Sequence, residues 1–382
     1  MVNEQKRTRF LEKQGLKMLL LAWMGCCMML NVVAQGNAQQ MSDSIVKYQL
    51  KSGGWAKNQD WLKGVNPADA KEWQKSGIGS TIDNGATVSE LRTLAKAVDN
   101  LYFVEESGFG WIDKKVVDEQ REKYRAAFSR GLAYLLKMQY ENGGFPQYYP
   151  EKKKPDYSSQ ITFNDNATVN VLKLLNEVAN DSASFKNMAI DKGTKKKCQA
   201  AYDKGIQCIL DCQIRVDGSG KVLEHGTEAW KLGKRTVWCQ QHDKKTLAPV
   251  MGRSYELPSY TGHGETVEIL ELLMNVSNPS ADVKEAVKSG VEWLEAHAMK
   301  DMAVEHFTNE DGQNDIRLVE KEGAPLLWAR FYDLQNAEPM FCDRDGVAKK
   351  NLSDIGYERR NGYQWVGEGP KRVIEMYKES NK

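Results

Sequence analysis

Apolar residues recur at the spacing of an amphipathic helix in paired stretches, and the pairing repeats three times along the chain. The first helix of each pair, called an A helix below, starts with a related polar phrase. The phrases are Asp-Asn-Gly-Ala-Thr-Val at 83–88, Asn-Asp-Asn-Ala-Thr-Val at 164–169 and His-Gly-Glu-Thr-Val at 263–267. Because Asp, Asn and Thr favour the position before a helix, we expect them to cap the A helices. If the A helices line the middle, their N-termini meet at one end and attract anions.

The second helix of each pair, called a B helix, carries an Ala-x-x-x-Gly phrase at 127–131, 201–205 and 286–290. A repeat of this length predicts supersecondary units that stack openly or close into a ring. Strand-like alternation is scarce, and short runs such as 316–319 predict brief strands inside long loops. The predicted fold class is therefore mainly α, with three A/B helical hairpins, long loops and a few short strands.

The first 38 residues have the pattern of a secretory signal peptide. Basic residues between 6 and 17 precede an apolar run at 18–33, and small residues that suit cleavage follow. A lipoprotein anchored through Cys26 is the less favoured alternative, because Trp-Met-Gly at 23–25 is a poor lipobox. No later segment is apolar enough to span a bilayer. We expect a secreted or periplasmic protein whose residues 39–382 form a single catalytic domain.

Charge composition argues against a general affinity for polyanions. The whole chain has a formal net charge of +1, which becomes −2 once the basic leader is removed. A nearly neutral protein has no global field for nucleic acid, so a local cluster must hold any anionic ligand. We expect a monomer without a nucleic-acid partner.

Five cysteines follow the leader, an odd number that leaves at least one thiol free or paired between chains. A zinc site can be drawn from Cys208, Cys212, Cys239 and His242. Its spacing matches no standard zinc pattern, and Cys208 and Cys212 fall in the apolar register of the second B helix. We therefore expect these two cysteines to be core residues.

Several non-helical segments combine oxygen donors, arginines and aromatic rings. Carboxylate and amide oxygens suit Ca²⁺, arginine forks suit carboxylates, and aromatic rings beside polar groups suit sugars. Each type also has an ordinary structural interpretation: helix cap, surface ion pair or core residue. Taken together, the residues describe a pocket for an acidic sugar polymer and a calcium ion. The oxygen donors are Asp83, Asn84, Asn164, Asp165 and Asn166.

Nine sequence blocks, in order, closely resemble the pectate lyases of polysaccharide lyase family 10, and they cover about residues 50–370. The blocks are Gly-Gly-Trp near 54, Asp-Asn-Gly-Ala-Thr at 83, Gln-Tyr-x-Asn-Gly-Gly-Phe-Pro-Gln at 139, Thr-Phe-Asn-Asp-Asn-Ala at 162, Gln-His-Asp at 241, Arg-x-Tyr-Glu-Leu-Pro-Ser at 253, Trp-Ala-Arg-Phe-Tyr at 328, Arg-Asp-Gly at 344 and Glu-Arg-Arg-x-Gly-Tyr at 358. The resemblance implies an (α/α)3 toroid that cleaves α-1,4-linked polygalacturonate by Ca²⁺-assisted β-elimination, giving 4,5-unsaturated oligogalacturonides.

The resemblance also implies roles for individual residues. Arg253 matches the catalytic arginine, and Asp83 and Asp165, with Asn84 beside them, match the calcium and substrate centre. Further residues of the matched blocks are expected to contact substrate, with Arg330 and Arg344 holding its carboxylates. These residues are Lys57, Asn142, Asn164, Asn166, Gln241, His242, Arg330 and Arg344.

An arginine is an unusual base, because its pKa lies above 12. Nearby Ca²⁺ and neighbouring arginines are expected to increase the neutral fraction of Arg253, and alkaline pH increases it further. We therefore expect an alkaline optimum. Composition alone favours His242 as a more ordinary base.

Two other functions remain open from the residues. A glycoside hydrolase on a helical toroid would use paired carboxylates such as Asp165 and Glu256. A binding protein would keep the groove without catalysis, although the presence of Arg253, Asp83 and Asp165 argues against it. Residues 221–235 resemble an insertion that lines one end of the groove and affects chain-length preference.

Overall fold

The computed structural model describes residues 37–76, 79–106, 113–152 and 154–380. The predicted signal peptide lies almost entirely outside these residues and stays a prediction. Among the described residues, no helix combines the length and the apolar character needed to cross a membrane.

The three predicted A/B hairpins are confirmed, and they form a mainly helical (α/α)3 toroid. The A helices are α3, α5 and α8, and the B helices are α4, α6 and α9. Neighbouring A helices contact each other, neighbouring B helices do the same, and α11 packs on α8 and α9. The helices are α1 (residues 37–47), α2 (Pro67–Ser76), α3 (Val88–Glu106), α4 (Lys114–Met138), α5 (Ala167–Ala179), α6 (Lys192–Cys212), α7 (Glu228–Leu232), α8 (Glu265–Met274), α9 (Ala281–Ala296), α10 (Tyr357–Asn361) and α11 (Gly369–Ser380).

The glycine of each B-helix phrase makes room for a leucine of its A helix. A Cβ on Gly205 would overlap Leu172 Cδ2, and a Cβ on Gly290 would lie 2.8 Å from Leu270 Cδ2. Gly131 receives Leu91 in the same way, with 2.8 Å to its Cδ2. Since no larger residue fits these contacts without movement, the glycines set the spacing within each hairpin.

The alanine of each B-helix phrase accepts a hydrogen bond from a glutamine near the end of an earlier helix. Gln49 Nε2 donates to the Ala127 carbonyl at 2.8 Å, and Gln139 Nε2 donates to the Ala201 carbonyl at 2.8 Å. Gln213 Nε2 donates to the carbonyl of Ala286 at 3.0 Å. These buried or half-buried amides join successive units of the toroid, because each bond crosses from one unit to the next.

Short strands form small antiparallel sheets in the long loops, as the sequence predicts, and β7 includes the expected strand at 316–319. β1 pairs with β4, β2 with β3, β6 with β7 and β8 with β12, while a four-stranded sheet has the order β11-β10-β9-β5. The strands are β1 (Ile161–Thr162), β2 (Arg215–Val216), β3 (Lys234–Arg235), β4 (Gln241–His242), β5 (Ser259–Thr261), β6 (Met302–Thr308), β7 (Asn314–Glu320), β8 (Trp328–Ala329), β9 (Phe331–Asp333), β10 (Pro339–Cys342), β11 (Ala348–Lys349) and β12 (Val366–Gly367).

The main core lies between the A and B helices, and a second apolar cluster lies under the C-terminal loops. The second cluster includes Tyr255, Phe331, Phe341 and Trp365, so it packs the segment after Arg253 against the end of the chain. Cys208 and Cys212 are buried in α6 with their sulfur atoms 4.0 Å apart, which confirms their predicted place in the core.

Residues 221–235 form a folded excursion that ends by pairing β3 with β2. Its Trp230 ring lies 3.7 Å from the guanidinium carbon of Arg215, and His225 contacts the same ring edge-on. A cavity of about 240 Å³ lies between this excursion and residues 246–249.

Candidate active site

The A-helix phrases begin with backbone in the left-handed region at equivalent positions. The residue two places before the A-helix threonine has φ of 73° at Gly85, 59° at Asn166 and 81° at Gly264. Asn84 and Asp165, one place earlier, have φ of 51° and 50°. These turns project polar side chains at the helix N-termini, and the turn helices Asp83–Gly85 and Asn164–Asn166 contact each other.

The predicted capping role is wrong at the two A helices whose N-caps are defined. Asn166 is the N-cap residue of α5 and makes no side-chain capping bond, and Gly264 precedes α8. The threonine hydroxyls instead bond to the segment before the turn: Thr87 and Thr168 donate to the carbonyls of Thr81 and Thr162. Left-handed geometry turns the Asx side chains away from the helix N–H groups, which leaves them available for other partners.

Asp83 lies at the buried edge of this region and pairs with Lys57. Its side chain is 6% exposed, and its Oδ2 accepts a hydrogen bond from the Lys57 ammonium group. The pKa of Lys57 is raised because the bond to Asp83 and its charge outweigh the opposing effect of burial. The second oxygen, Oδ1, is buried without a hydrogen-bond partner, so one coordination position remains open.

Asn84 projects beside Asp83 and is exposed. Its Nδ2 donates to Asn58 Oδ1 at 2.9 Å, so its own carbonyl oxygen can meet a ligand.

The pKa of Asp165 is affected by carboxylates and arginines from separate segments of the chain. Asp165 is exposed at the surface, and partial loss of hydration is the first cause that raises its pKa, followed by the negative charges of Glu265 and Asp83. The positive charges of Arg330 and Arg253 act in the opposite direction. Because charges interact appreciably only at short range in salt, these five groups share one site.

Asn164 and Asn166 flank Asp165 in the same turn. Asn164 donates from Nδ2 to Asp165 Oδ2 at 2.7 Å, which orients that carboxylate, and its own Oδ1 is buried without a partner. Asn166 is half-buried and makes no capping bond to α5.

Glu265 is a central residue that the sequence analysis missed. It is 2% exposed, and its Oε1 accepts from Gln240 Nε2 at 3.0 Å and from Arg330 Nη2 at 2.8 Å. Its Oε2 is buried without a partner. The available signal was its place directly after Gly264, at the head of the third A helix.

Arg253 is half-exposed and paired with the buried carboxylate of Glu256. Its Nε donates to Glu256 Oε1 at 2.9 Å, its Nη2 donates to the same oxygen, and its backbone N–H donates to Oε2. Tyr363 also donates to Oε1, at 3.0 Å. Burial lowers the pKa of Arg253, but the hydrogen bond and charge of Glu256 outweigh it and raise the pKa above the ordinary value.

This pairing opposes the effect expected from the sequence. Nearby Ca²⁺ and neighbouring arginines are expected to increase the neutral fraction of Arg253, whereas Glu256 stabilises its charged form. A role as base therefore requires the Glu256 interaction to weaken in the productive complex.

Arg330 is largely buried, whereas Arg344 is exposed. The side chain of Arg330 is 11% exposed, its Nε lacks a partner, and its guanidinium carbon lies 4.5 Å from the Tyr363 ring centre. Arg344 is exposed and donates from Nε and Nη2 to Glu358, each at 3.0 Å. Arg330 thus contacts the acidic centre through Glu265, whereas Arg344 pairs with the exposed Glu358.

His242 does not fit the predicted substrate contact. It is fully buried, its Nδ1 donates to the Leu247 carbonyl at 2.8 Å, and its Nε2 accepts the backbone N–H of Cys239 at 3.1 Å. Burial lowers its pKa to about 4, so it is neutral at ordinary pH. With both nitrogens engaged, His242 stabilises the loop that leads to Arg253.

Asn142 has a similar structural role. Its Nδ2 donates to the Lys244 carbonyl at 3.0 Å, and its Oδ1 accepts the N–H of Gly144 at 3.1 Å. Gln241 is 1% exposed and has a buried Oε1 without a partner. A Cβ on Gly252 would lie 2.7 Å from that oxygen and 2.6 Å from Glu256 Oε2, which places Gln241 against the wall of the Arg253 site.

The donor chemistry fits a hard cation only if other ligands complete the shell. Buried oxygens without a partner include Asp83 Oδ1, Asn164 Oδ1 and Glu265 Oε2. Ca²⁺ takes about six to eight oxygen ligands, many of them carboxylates. Yet the described part of the chain holds no group of three His, Cys, Asp or Glu side chains close enough to bind a metal by themselves. By themselves, these three oxygens would not complete a calcium shell.

The site of this helical toroid combines carboxylates with arginines, a chemistry that suits the binding of anionic, oxygen-rich ligands. Comparison with known proteins agrees. Residues 49–374 match the family model described as Pectic acid lyase. The chain belongs to this family and is a polysaccharide lyase.

Solved structures from Cellvibrio cellulosa support the assignment. A family 10 polysaccharide lyase is 30% identical, with a TM-score of 0.69, over 91% of this chain and 95% of that chain. An aspartate-to-alanine mutant of a family 10 polysaccharide lyase, in complex with trigalacturonic acid, is 29% identical, with a TM-score of 0.70, over 91% and 96%. No curated protein matches the chain.

Proposed function

We propose that this polysaccharide lyase is a pectate lyase that cleaves α-1,4-linked polygalacturonate by Ca²⁺-assisted β-elimination. The observation that carries the proposal is the half-exposed Arg253 guanidinium, within electrostatic range of the Asp165 carboxylate. The trigalacturonic acid bound by the Cellvibrio relative has the matching substrate chemistry.

The reaction breaks the C5–H bond of a galacturonate and the C4–O bond to its neighbour, and it forms a C4=C5 double bond. The C5 proton goes to the base, and the C4 oxygen leaves with the electron pair of the C4–O bond and takes up a proton from water. Because the adjacent carboxylate is already negative, removal of the C5 proton accumulates a second charge. Asp83 and Asp165, with Asn84, would hold Ca²⁺, which when bound neutralises the substrate carboxylate and lowers that cost.

Arg253 is the proposed base, and Arg330 orients the substrate. Arg330 has an unpartnered Nε beside its bond to Glu265, so it can donate to a uronate carboxylate. Tyr157 is half-exposed and lies in the fields of both Arg253 and Lys57, so it supplies an aromatic wall for a sugar ring. Proton removal by Arg253 requires alkaline conditions, because Glu256 raises its pKa.

The test is ultraviolet absorbance during incubation with polygalacturonate at alkaline pH, with added Ca²⁺ and with a chelator. A calcium-dependent rise supports β-elimination, because only a lyase leaves an unsaturated end. New reducing ends without absorbance would mean hydrolysis, and retention of substrate without either signal would mean a binding protein. Each of these two results would overturn the proposal.

The geometry disfavours the hydrolase alternative. Glu256 is 3% exposed, and its oxygens already accept hydrogen bonds from Arg253 and Tyr363. A general acid for glycoside hydrolysis needs a raised pKa and a proton to give. Glu256 is therefore better suited to position Arg253.

We also propose that the chain is exported, on the basis of the basic and apolar pattern of its first 38 residues. Cell fractionation with N-terminal sequencing of the purified protein tests this. A mature start near residues 35–39 agrees with the proposal, whereas an intact N-terminus in the cytoplasm contradicts it. Detection of a lipid on Cys26 would instead indicate that the protein is exported as a lipoprotein.

A further inference from the structure

One exposed carboxylate, that of Glu358, is gripped by two arginine forks at once. Arg344 donates to it from Nε and Nη2, both at 3.0 Å. Arg359 donates to it from Nε at 3.1 Å and from Nη2 at 2.8 Å. Two-pronged donation is the strong, geometrically specific way in which arginine binds a carboxylate.

The two forks are built next to the proposed base. The guanidinium carbons of Arg359, Arg253 and Arg344 lie 4.5, 5.1 and 5.7 Å from the ring centre of Tyr255. Tyr255 is 5% exposed and belongs to the second apolar cluster, so the ring is a fixed platform. The carboxylate held by Arg344 and Arg359 therefore shares one aromatic ring with Arg253.

Arg359 has the features of a built binding residue. It is 8% exposed, and its backbone carbonyl accepts the indole N–H of Trp365 at 2.9 Å, which anchors it. Its guanidinium carbon also lies 5.6 Å from the centre of the Tyr363 ring, which Arg330 contacts as well. A preorganised fork loses little freedom when it binds a new carboxylate.

Glu358, in contrast, is easily replaced. Its side chain is 60% exposed, and the hydrogen bonds from Arg344 and Arg359 lower its pKa to about 2. It is therefore always ionised at working pH and can return to water by rotation. If a ligand carboxylate takes the place of Glu358, Arg344 and Arg359 each keep a two-pronged ion pair, so the exchange conserves both interactions.

Arg344 is already expected, from the family resemblance, to hold a substrate carboxylate. We propose that Arg359 completes the same binding site for a galacturonate carboxylate, and that Glu358 occupies this site until substrate displaces it. The inference rests on the proposed function, since it takes polygalacturonate as the ligand. Arg359 becomes a substrate-binding residue, and Glu358 becomes an internal competitor that weakens binding of short or sparsely charged chains.

Glu358→Gln tests the competition, because the amide keeps the shape and loses the charge. Calorimetric titration with trigalacturonate in the presence of Ca²⁺ should show several-fold tighter binding, and KM for polygalacturonate should fall with little change in kcat. Glu358→Ala should act in the same direction. Arg359→Lys should weaken binding and should cancel the gain when combined with Glu358→Gln, because it removes the fork.

Glu305→Gln is the matched control. Glu305 is also exposed and paired with an arginine, Arg317, but it lies in the β6–β7 hairpin. Its removal changes the net charge equally and should leave trigalacturonate affinity unchanged. An equal gain in the control would mean a general charge effect and would overturn the inference.

Unchanged or weaker binding by both Glu358 variants would also overturn it, because Glu358 would then only hold the forks in place. The native protein separates this failure from failure of the proposed function. If native protein cleaves polygalacturonate while Glu358→Gln gives no gain, the inference alone is wrong. If native protein neither binds trigalacturonate nor cleaves polygalacturonate, both are wrong.

Discussion

The Arg253 guanidinium is locked to the buried Glu256 carboxylate, with Nε 2.9 Å from Oε1. The backbone N–H of Arg253 bonds the other oxygen of the same carboxylate at 2.8 Å. A proposed base is thereby placed accurately and at the same time held in its charged form. This opposition between position and protonation state underlies the first prediction.

Glu256→Gln should move the limb of the kcat/KM profile on which activity rises with pH to lower pH. Glu256 raises the pKa of Arg253 in the native protein, so loss of its charge lowers that pKa. At any pH below the pKa, the neutral fraction grows about tenfold for each unit by which the pKa falls. The measurement is kcat/KM for polygalacturonate across the alkaline range.

The amide introduced by Glu256→Gln keeps an acceptor oxygen for Arg253 or Tyr363, so gross displacement of the arginine is not expected. Glu305→Gln, which alters a distant ion pair, serves as the control and should keep the native profile. An unshifted limb in Glu256→Gln, with activity retained, would exclude titration of Arg253 as the source of that limb.

Asp83→Asn should raise the Ca²⁺ concentration needed for half-maximal activity by more than about tenfold, because calcium affinity depends on the number of charged ligands. The amide keeps the side-chain volume, and the unpartnered Oδ1 position is the one that would meet the ion. The measurement is lyase rate against free Ca²⁺ at saturating polygalacturonate.

Asp43→Asn is the matched control for Asp83→Asn. Asp43 also pairs with a lysine, Lys123, at 2.7 Å, but it belongs to α1 and lies outside the site. A calcium dependence that stays native in Asp83→Asn would remove Asp83 from the metal centre.

His242→Ala should mainly lower stability, whereas Arg253→Ala should mainly lower turnover. Loss of His242 leaves the Cys239 N–H and the Leu247 carbonyl without their partner, at a cost of about 1–3 kcal/mol each in the free energy of unfolding. Loss of Arg253 should abolish turnover and leave trigalacturonate binding largely intact. Denaturant unfolding and single-turnover kinetics on both variants measure the two effects. Turnover that survives in Arg253→Ala would refute the base assignment.

Gly205→Ala should destabilise the second hairpin by about 1–3 kcal/mol, the usual cost of overpacking a well-packed contact. The new methyl group would overlap Leu172 Cδ2, so a buried leucine must move. Gly218→Ala is the control, because a Cβ there meets nothing within 4 Å. Thermal unfolding of both variants decides, and equal midpoints would show that the hairpin yields without strain.

Local periodicity determined the helices and hairpins, because a buried stripe recurs every few residues wherever a helix packs on a core. The Ala-x-x-x-Gly phrases carried more meaning than expected. Their alanine carbonyls receive Gln49, Gln139 and Gln213 from earlier helices. Those partners are 62 to 78 residues away for the first two bonds, so no local pattern announces them.

The candidate site shows the same division. The ordered motifs identified Arg253, Asp83 and Asp165 as candidate site residues, and their residue types indicated the chemistry. The capping prediction failed at α5 because the left-handed φ of Asn166 redirects its side chain, and at α8 because the N-cap residue Gly264 has no side chain. The sign of φ cannot be read from a composition that resembles a cap.

By itself, the sequence determined the repeat, the helical class and the identity of the charged residues, because each depends on neighbouring positions or on residue type. Only the tertiary structure decided which charges meet: Arg330 with Glu265, 65 residues apart, and Tyr363 with Glu256, 107 residues apart. It also decided that both ring nitrogens of His242 form hydrogen bonds to the backbone. Protonation state and access to ligand follow from burial and partners, and these exist only after distant segments of the chain have packed together.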